Sequence, residues 1–274
     1  MARANGRSAD RFLDSVAIVT GGASGIGAAL CHALGTVGAA VIVADINGEG
    51  AARVAAGLTA RGSRAVARVV DVASMQDVTE LVRLTAAEFG RVDFMFNIAA
   101  ATAARRELLQ ISIEPWHHAI DVNLLGVVHG TVAAYEQMLR QRRGHIVNIA
   151  SLAGLVGFPT SIPYSATKAA VVNLSLLLRM ESISRGVQVT VICPGQVHGA
   201  ANHGLTLVGV ERASHLILCG VAREQAIVVF PMSARGLWWL HRISPLLLFP
   251  VGEKIVHDFR RRPVALPSVA EAQR

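Results

Sequence analysis

Short apolar segments alternate with longer helical segments along most of this chain, and this alternation constrains the fold more than any other feature. Val16–Thr20 runs into a glycine-rich turn, and Val41–Ala44 stops at Asp45. These segments are apolar at consecutive positions, which is typical of strands in a parallel sheet that helices cover on both faces. Further strands of this kind are predicted at 65–70, 92–96, 145–149, 187–192 and 226–230.

Segments with apolar residues at helical spacing connect the predicted strands, at 25–37, 47–60, 74–89, 114–139, 163–184 and 210–221. The pattern predicts an α/β fold with a doubly wound parallel sheet of seven strands, a Rossmann fold, in a single domain. A hydrophobic content of 52% and a charged content of 16% exclude a disordered chain. We expect a flexible leader over 1–14, the Rossmann domain over 15–232, and an apolar and basic extension over 233–274.

The charge and the cysteines exclude several classes of protein. The net charge of +7 comes mostly from scattered basic residues, so a nucleic-acid-binding stripe is not predicted. The 3 cysteines have no CxxC spacing, which argues against a disulfide framework and favours a cytoplasmic protein. The apolar segment Leu237–Val251 contains basic residues and prolines, and it is shorter than the ~20 residues that a membrane span requires.

A glycine-rich turn, Thr20–Gly27, joins the first predicted strand to the first predicted helix. Exposed amide groups and the helix dipole at such a position favour a pyrophosphate. Gly21, Gly25 and Gly27 would let the backbone approach the phosphates closely. A tight turn between a strand and a helix needs glycine in any case, so the turn by itself leaves a purely structural role open.

Asp45 follows the second predicted strand, 24 residues after Gly21. An acidic side chain at this place can accept hydrogen bonds from both hydroxyls of a ribose. A 2′-phosphate ~5 Å from the carboxylate would be repelled by roughly 3 kcal/mol at an effective dielectric constant of ~20. Neither Ser24 nor Ile46 offers a neighbouring cation, so the sequence favours NAD over NADP. The alternative for Asp45 is a helix cap.

Tyr164 and Lys168 lie four residues apart in a predicted helix, so their side chains share a face, and Ser151 follows the fifth predicted strand. An ammonium group ~4 Å from the phenol would favour the phenolate by up to ~4 kcal/mol, which lowers the pKa of Tyr164 from ~10 toward neutrality. Such a phenol suits proton transfer, so we predict that Tyr164 is the acid/base. An ordinary surface pair is the alternative for these two residues taken alone.

Six motifs occur in this chain in a characteristic order: the glycine-rich turn, Asn97, Asn123, Ser151, the run Tyr164–Lys168, and Pro194–Gly195. Together they resemble the classical short-chain dehydrogenase/reductase family, over about residues 16–197. The resemblance implies that a hydride passes between C4 of a nicotinamide and a carbon of the substrate.

By this resemblance the catalytic residues are Asn123, Ser151, Tyr164 and Lys168. Tyr164 would move the hydroxyl proton, and Ser151 would hold the reacting oxygen. Lys168 would also hydrogen-bond the nicotinamide ribose, and Asn123 would hold a water that links Lys168 to solvent. The residues expected to bind the dinucleotide are Gly21, Ser24, Gly25, Ile26, Gly27, Asp45, Asp71, Val72, Asn97, Ala99, Tyr164, Lys168, Pro194, Gly195 and Val197.

The chain departs from the family pattern at two places. The usual Asn-Asn-Ala-Gly turn reads Asn97-Ile98-Ala99-Ala100 here, and the residue after Pro194-Gly195 is Gln196 where many relatives have threonine. Both changes affect positions where the resemblance puts the dinucleotide. Two pairs of histidines, at 117/118 and 198/203, have no carboxylate or thiolate at ligand spacing, so no metal site is predicted.

The segment after the sixth predicted strand, 196–209, is where the resemblance puts a substrate lid, and it supplies apolar residues rather than charges. This composition favours an apolar alcohol or ketone as the substrate. The extension over 233–274 combines Leu237–Leu240 and Leu246–Phe249 with later basic residues. It has three interpretations: a subunit contact, a wall of the substrate pocket, or a peripheral contact with a membrane.

These observations predict an NAD-dependent oxidoreductase that interconverts a secondary alcohol and its ketone on an apolar substrate. The alternatives are an NADPH-dependent carbonyl reductase and a non-catalytic protein that senses dinucleotides or acts as a scaffold. The family resemblance implies a homodimer or a homotetramer. We expect the protein in the cytoplasm, with membrane association through the extension left open.

Overall fold

The computed structural model describes residues 10–102, 104–198 and 208–261. Seven strands form one parallel sheet in the order β3-β2-β1-β4-β5-β6-β9, and β7 and β8 pair separately. The strands are β1 (Val16–Thr20), β2 (Ala40–Asp45), β3 (Ala65–Val69), β4 (Phe94–Asn97), β5 (Gly144–Ile149), β6 (Val187–Pro194), β7 (Val197–His198), β8 (Val208–Gly209) and β9 (Ile227–Phe230).

Helices connect the strands and cover both faces of the sheet. They are α1 (Gly25–Thr36), α2 (Gly48–Thr59), α3 (Met75–Phe89), α4 (Ile113–Ile120), α5 (Gly126–Gln141), α6 (Ala153–Val156), α7 (Ile162–Ser182), α8 (Val210–Ala222), α9 (Met232–Ile243) and α10 (Phe249–Arg261). Short 3₁₀ turns lie at Leu108–Gln110, Ile183–Arg185 and Pro245–Leu248. The predicted doubly wound parallel sheet of seven strands is confirmed.

The strand order reverses between β1 and β4. From β1 the chain moves outward to β2 and β3, and it then crosses to β4 on the other side. In sheets of this kind a ligand binds in the crevice outside the carboxyl ends of the strands at such a reversal. The glycine-rich turn after β1 and Asp45 at the end of β2 both lie at this edge of the sheet.

The continuous apolar character of the strands reflects two separate cores. Ala17 and Val19 of β1 point to the face covered by α1, α2 and α8, whereas Ile18 points to the face covered by α3 and α5. All three residues are 0% exposed. Because both faces of β1 are buried, no position along it is left for a polar residue until the strand ends.

Local signals set the ends of several helices. The side chain of Asn47 accepts a hydrogen bond from the Gly50 amide and caps α2, so this helix begins where the sequence pattern predicted it. Ser74 caps α3 by accepting a hydrogen bond from the Asp77 amide. The helix then ends at Gly90, whose φ of 79° suits glycine.

Two predictions about the chain's organisation need correction. The flexible leader predicted over 1–14 is too long, because Phe12 is 1% exposed and its ring lies 5.0 Å from that of Phe94. Residues 1–9 lie outside the described residues. The helix predicted over 114–139 is also not uniform, since a π-helical segment, Asp121–Leu125, separates α4 from α5.

The C-terminal extension folds into α9, a 3₁₀ turn and α10, while 262–274 lies outside the described residues. No helix within 10–102, 104–198 or 208–261 has both the length and the apolar character that a membrane span requires.

Candidate active site

The turn after β1 has the shape of a phosphate-binding turn. Gly21 has φ +69°, and a Cβ there would lie 2.8 Å from Cα of Ala99. A Cβ at Gly27 would lie 2.0 Å from the carbonyl oxygen of Gly21. Any other residue at these two positions would separate β1, α1 and the segment after β4, so both glycines are required by close packing.

Gly25 is a different case, because it borders open space. It has φ +53°, and nothing lies within 4 Å of a Cβ built there. Ser24 is the N-cap of α1 and makes no capping hydrogen bond with its side chain to the described residues, and Ile26 follows in the first turn. A helix N-terminus with free amides beside an open, left-handed glycine fits the pyrophosphate of a dinucleotide.

Asp45 ends β2 beside this turn. Its Oδ2 accepts a hydrogen bond from the Ala23 amide at 3.0 Å, and its Oδ1 accepts one from the Asn47 amide at 2.9 Å. The cap of α2 is Asn47, so the alternative of a capping role for Asp45 is wrong. The two backbone contacts fix the carboxylate next to the phosphate-binding turn, where the ribose of a dinucleotide would meet it.

Asp71 and Val72 follow β3 at the same edge. Oδ1 of Asp71 accepts a hydrogen bond from the Ala73 amide at 2.9 Å. The Val72 carbonyl oxygen lies 2.9 Å from Nδ1 of His129. The Val72 side chain lies against Gly126, where a Cβ would be 2.8 Å from its Cγ2. Val72 therefore packs on α5, and the Asp71 side chain is the more accessible of the two for a predicted contact with adenine.

The side chain of Asn97 makes its contacts inside the protein. Its side chain is 2% exposed and donates hydrogen bonds to Asn148 Oδ1 at 2.8 Å and to Thr131 Oγ1 at 3.4 Å. Asn148 in turn donates to Ser175 Oγ at 3.0 Å. These buried contacts join β4, β5, α5 and α7, so the Asn97 side chain helps to hold the sheet together.

Sequence reasoning missed Thr20, which positions the segment after β4. Its Oγ1 accepts hydrogen bonds from the amides of Ile98 at 3.1 Å and Ala99 at 3.4 Å. This threonine is 2% exposed at the end of an apolar strand, and a buried hydroxyl at a strand end was the available signal. The contact keeps the Ala99 backbone against Gly21.

Pro194 ends β6, and Gly195 follows it and lines the same cleft as Ser151. The Pro194 carbonyl accepts a hydrogen bond from the Leu152 amide at 2.8 Å, and the Gly195 amide donates to the Phe230 carbonyl at 2.7 Å. Val197 follows in β7, which pairs with β8. Most of the predicted lid, 199–207, lies outside the described residues.

Ser151, Tyr164 and Lys168 come together at the carboxyl ends of β5 and β6. Ser151 and Tyr164 line the same cleft, and Ser151 Oγ accepts a hydrogen bond from the Ala153 amide at 3.1 Å. The Lys168 ammonium lies 5.7 Å from the centre of the Tyr164 ring and donates to the Ile149 carbonyl at 2.9 Å. Lys168 is 1% exposed. The constellation predicted from spacing is therefore present in three dimensions.

The electrostatics of this constellation differ from the prediction. Burial raises the pKa of Tyr164 above its usual range, and the nearby Ser151 hydroxyl opposes this rise. Burial also lowers the pKa of Lys168 to about 8. The predicted lowering of the Tyr164 pKa by Lys168 is wrong for the protein alone, because the ammonium contacts the Ile149 carbonyl and the phenol loses water.

Asn123 lies in the π-helical segment between α4 and α5 and is 0% exposed. Its Oδ1 accepts a hydrogen bond from the Ala101 amide at 2.7 Å, and its Nδ2 donates to the Ala101 carbonyl at 3.0 Å. A π-turn inside a helix is frequent at functional sites. Here it carries the asparagine predicted to hold a water near Lys168, and it ties the segment after β4 to α5.

A cleft of about 830 Å³ opens above Ser151 and Tyr164. Gly195, Gln196 and Val197 line one side of it, and α9 and α10 contribute Leu237 and Ile255. Arg105 also lines the cleft, and its guanidinium was not predicted to be near the site. The catalytic hydroxyls thus face a pocket whose walls are largely apolar.

No cluster of three or more histidine, cysteine or acidic residues that could hold a metal occurs among the residues with described positions. His203 lies outside those residues. Burial raises the pKa of the Cys193 thiol to about 12, so this cysteine beside Lys168 is an inert packing residue.

Comparisons with known proteins agree with this geometry. The short chain dehydrogenase family profile matches residues 15–206. The chain is 39% identical over 181 residues to a 3-oxoacyl-[acyl-carrier-protein] reductase of Synechocystis, covering 66% of this chain and 73% of that one. It is 37% identical over 186 residues to cis-4-hydroxycyclohexanecarboxylate dehydrogenase of Sinomonas cyclohexanicum, covering 68% of this chain and 74% of the other.

Among solved structures, the apo form of LigD from Sphingobium sp. strain SYK-6 superposes with a TM-score of 0.76 at 30% identity, covering 85% of this chain and 97% of that chain. The chain belongs to the short chain dehydrogenase family, whose members are oxidoreductases that use a nicotinamide dinucleotide.

Proposed function

We propose that this protein is an NAD-dependent oxidoreductase that interconverts a secondary alcohol and its ketone on an apolar substrate. The observation that carries the proposal is that Ser151 and Tyr164 line one largely apolar cleft, with the Lys168 ammonium 5.7 Å from the centre of the Tyr164 ring. A scaffold protein has no need of a buried lysine next to a buried phenol.

The side chains divide the chemistry of the reaction among them. When bound, the nicotinamide supplies or accepts the hydride. Ser151 donates a hydrogen bond to the carbonyl or alkoxide oxygen of the substrate. Tyr164 gives its proton to that oxygen during reduction and takes a proton from the alcohol during oxidation. Because burial raises the pKa of Tyr164, the phenol holds its proton at neutral pH in the protein alone.

Lys168 restores the proton of the Tyr164 phenol during turnover. Its pKa of about 8 lets the ammonium release and regain a proton near neutral pH. Its hydrogen bond to the Ile149 carbonyl fixes the amine at the end of β5. In our proposal Lys168 also contacts the nicotinamide ribose, and Asn123 relays protons toward solvent through a water.

Asp45 supports NAD over NADP. Two backbone amides hold its carboxylate beside the phosphate-binding turn, and Ile46 next to it is exposed and apolar. A 2′-phosphate ~5 Å away would be disfavoured by roughly 3 kcal/mol, which is on the order of 100-fold in affinity. The competing proposal, an NADPH-dependent reductase, needs a cation at this place.

The remaining predictions about partners are carried forward as proposals. α5 and α7 expose Val132, Leu177 and Met180 at 47%, 53% and 75%, which supports a homodimer or homotetramer through these helices. α9 exposes Trp239 and Ile243 with Arg242 nearby, which supports a peripheral membrane contact of its outer surface. Three free cysteines support a cytoplasmic protein.

The test is a screen of the purified protein with NAD or NADP against secondary alcohols that range from short aliphatic to alicyclic, aromatic and steroid compounds. We expect NADH to form with at least one apolar alcohol, and the matching ketone to consume NADH. Turnover with NADP only would contradict the NAD preference. A protein that binds NAD tightly but oxidises and reduces none of these compounds would favour the sensing alternative.

A further inference from the structure

A second cavity adjoins the catalytic cleft and is not part of it. Its volume is about 950 Å³, and it lies between α6, the start of α7 and the C-terminal extension. The cleft of about 830 Å³ and this cavity share four wall residues, which are Ala153, Phe158, Leu237 and Ile255. We call the second cavity the tail chamber. The shared residues place the tail chamber directly beside the space above Ser151 and Tyr164.

The inner wall of the tail chamber is apolar. It consists of residues 153–159 and the first turns of α7, and the one hydroxyl among these lining residues belongs to Ser165. Ser165 Oγ accepts a hydrogen bond from the Phe158 amide at 3.2 Å. The ionisable lining residues all lie on α9 and α10. A ligand against the inner wall would therefore meet hydrocarbon and no charge.

The outer wall is α10, which stands over the chamber without packing into the core. None of its residues is buried. Near its C-terminus, Arg260 forms two hydrogen bonds of 2.8 Å with the Glu107 carboxylate. The Phe259 ring lies 5.8 Å from the Arg105 guanidinium. These contacts hold the helix across the chamber, and the apolar side chains of Ile255 and Val256 line the space beneath it.

We propose that the tail chamber receives a long aliphatic or alicyclic tail of the substrate, and that the C-terminal extension thereby selects substrates by tail length. The inference rests on the proposed function, because the carbon that reacts is placed beside Ser151 and Tyr164. The volume of the chamber lies within the ~300–1,000 Å³ of ordinary ligand pockets. The tail would cover the apolar face of α10, which nothing else among the described residues buries.

Tail length sets the expected size of the effect. Each methylene that moves from water into an apolar cavity strengthens binding about fourfold. A series of 2-alkanols with NAD should therefore show kcat/KM rising about fourfold per added carbon once the chain passes the shared walls. The rise should stop when the chamber is full.

Val256→Trp tests the chamber without touching the cleft, because Val256 lines only the tail chamber. We expect this variant to lose the gain for long 2-alkanols while short 2-alkanols keep wild-type kcat/KM. Ile243→Trp is the matched control, since Ile243 is 78% exposed and lines neither cavity. It should leave the whole series unchanged.

Three outcomes would overturn the inference: a flat series in the wild type, an equal loss for short and long alcohols in Val256→Trp, or a change of oligomeric mass in Val256→Trp. The last outcome would make a second copy of the chain the occupant of the chamber. If the wild type oxidises no 2-alkanol, the wider alcohol screen still tests the proposed function, and binding of the fluorescent fatty acid cis-parinaric acid tests the chamber. Weaker binding by Val256→Trp than by Ile243→Trp supports the chamber, and equal binding overturns it.

Discussion

The region that holds the chemistry and the region that covers it are built in opposite ways. From β1 to β6, the proposed catalytic and dinucleotide-binding residues follow strands whose central residues, except in the partly buried β3, are 0 to 5% exposed. By contrast, α10 has no buried residue and lies beyond the family match, which ends at residue 206. Hydride and proton transfer need atoms held within fractions of an ångström, so they need a packed scaffold. Selection of an apolar tail needs only a shaped space.

The packed region also uses buried polar contacts to fix its backbone. Thr20 holds the segment after β4, Asn97 and Asn148 join the central strands to α5 and α7, and Asn123 binds the Ala101 backbone. Such contacts specify one arrangement, because an unpaired polar group in the core is costly. The C-terminal extension relies instead on exposed ion pairs and ring contacts.

The largest effect, on kcat, is expected for the variant Tyr164→Phe. Removal of the phenolic hydroxyl takes away the proton donor and should lower kcat by about 10²- to 10⁴-fold. Binding of NADH, followed by its fluorescence, should change little. Tyr135→Phe is the matched control, since Tyr135 lies on α5 and is the other of the 2 tyrosines. Equal kcat values for the two variants would mean that the Tyr164 phenol is not the proton donor.

A smaller effect is expected on the choice of dinucleotide in Asp45→Asn. The substitution keeps the size of the side chain and removes its charge, so the discrimination against NADP should fall by up to ~100-fold. Asp45→Glu keeps the charge and serves as the control. Steady-state kcat/KM with NAD and NADP measures the ratio. An unchanged ratio in Asp45→Asn would mean that the carboxylate does not face the ribose.

Lys168→Met should stabilise the packed region while it abolishes turnover. Folding removes the charged Lys168 side chain from water, which costs free energy. An apolar side chain of similar length should therefore raise the free energy of unfolding by about 1–3 kcal/mol at pH 7. The folded pKa of about 8 lies below the ordinary lysine value. Above pH 8 the unfolded state therefore binds more protons than the folded state, so the free energy of unfolding of the wild type rises with pH. The extra stability of Lys168→Met over the wild type should accordingly shrink toward pH 10.

Urea unfolding at several pH values measures this gain. Lys254→Met, at an exposed position on α10, should leave the free energy of unfolding unchanged at every pH. A loss of stability in Lys168→Met at pH 7 would show that the ammonium contact with Ile149 outweighs the desolvation.

The smallest expected effect is on Glu107→Gln, which weakens the contact with Arg260. Arg260 is exposed and Glu107 is partly exposed, so this ion pair is weak and the midpoint of global unfolding should not move measurably. Hydrogen exchange in α10 should become faster, while exchange in β1 and β4 stays the same. Faster exchange in the sheet as well would mean that the extension and the packed region unfold as one unit.

The sheet and its phosphate-binding turn were predictable because each depends on local pattern. Val16–Val19 is apolar at every position, and Thr20 is followed by glycines; this pattern alone places a buried strand before a phosphate-binding turn. Tyr164 and Lys168 share a helix face by spacing alone. Asn47 has the chemistry of a helix cap and is one.

What the sequence did not predict depends on the surroundings of a side chain in three dimensions. Asn97 follows a strand like a ligand-binding residue, yet its side chain meets Asn148 across the sheet. The direction of the Tyr164 pKa follows from burial, which spacing does not report. Phe12 packs on Phe94, 82 positions further along the chain. No local sequence pattern reports a contact between residues so far apart, so this segment was predicted to be part of a flexible leader.

The central claim is that the Tyr164 phenol lies beside bound nicotinamide, and titration of this one phenol tests it most directly. In Tyr135→Phe, Tyr164 is the remaining tyrosine, so tyrosinate absorbance reports its ionisation alone. Without NAD, we expect its pKa above the ordinary value, because the side chain is buried. The positive charge of oxidised nicotinamide ~5 Å away should then lower that pKa by roughly 2. The same titration curve with and without saturating NAD would contradict the account.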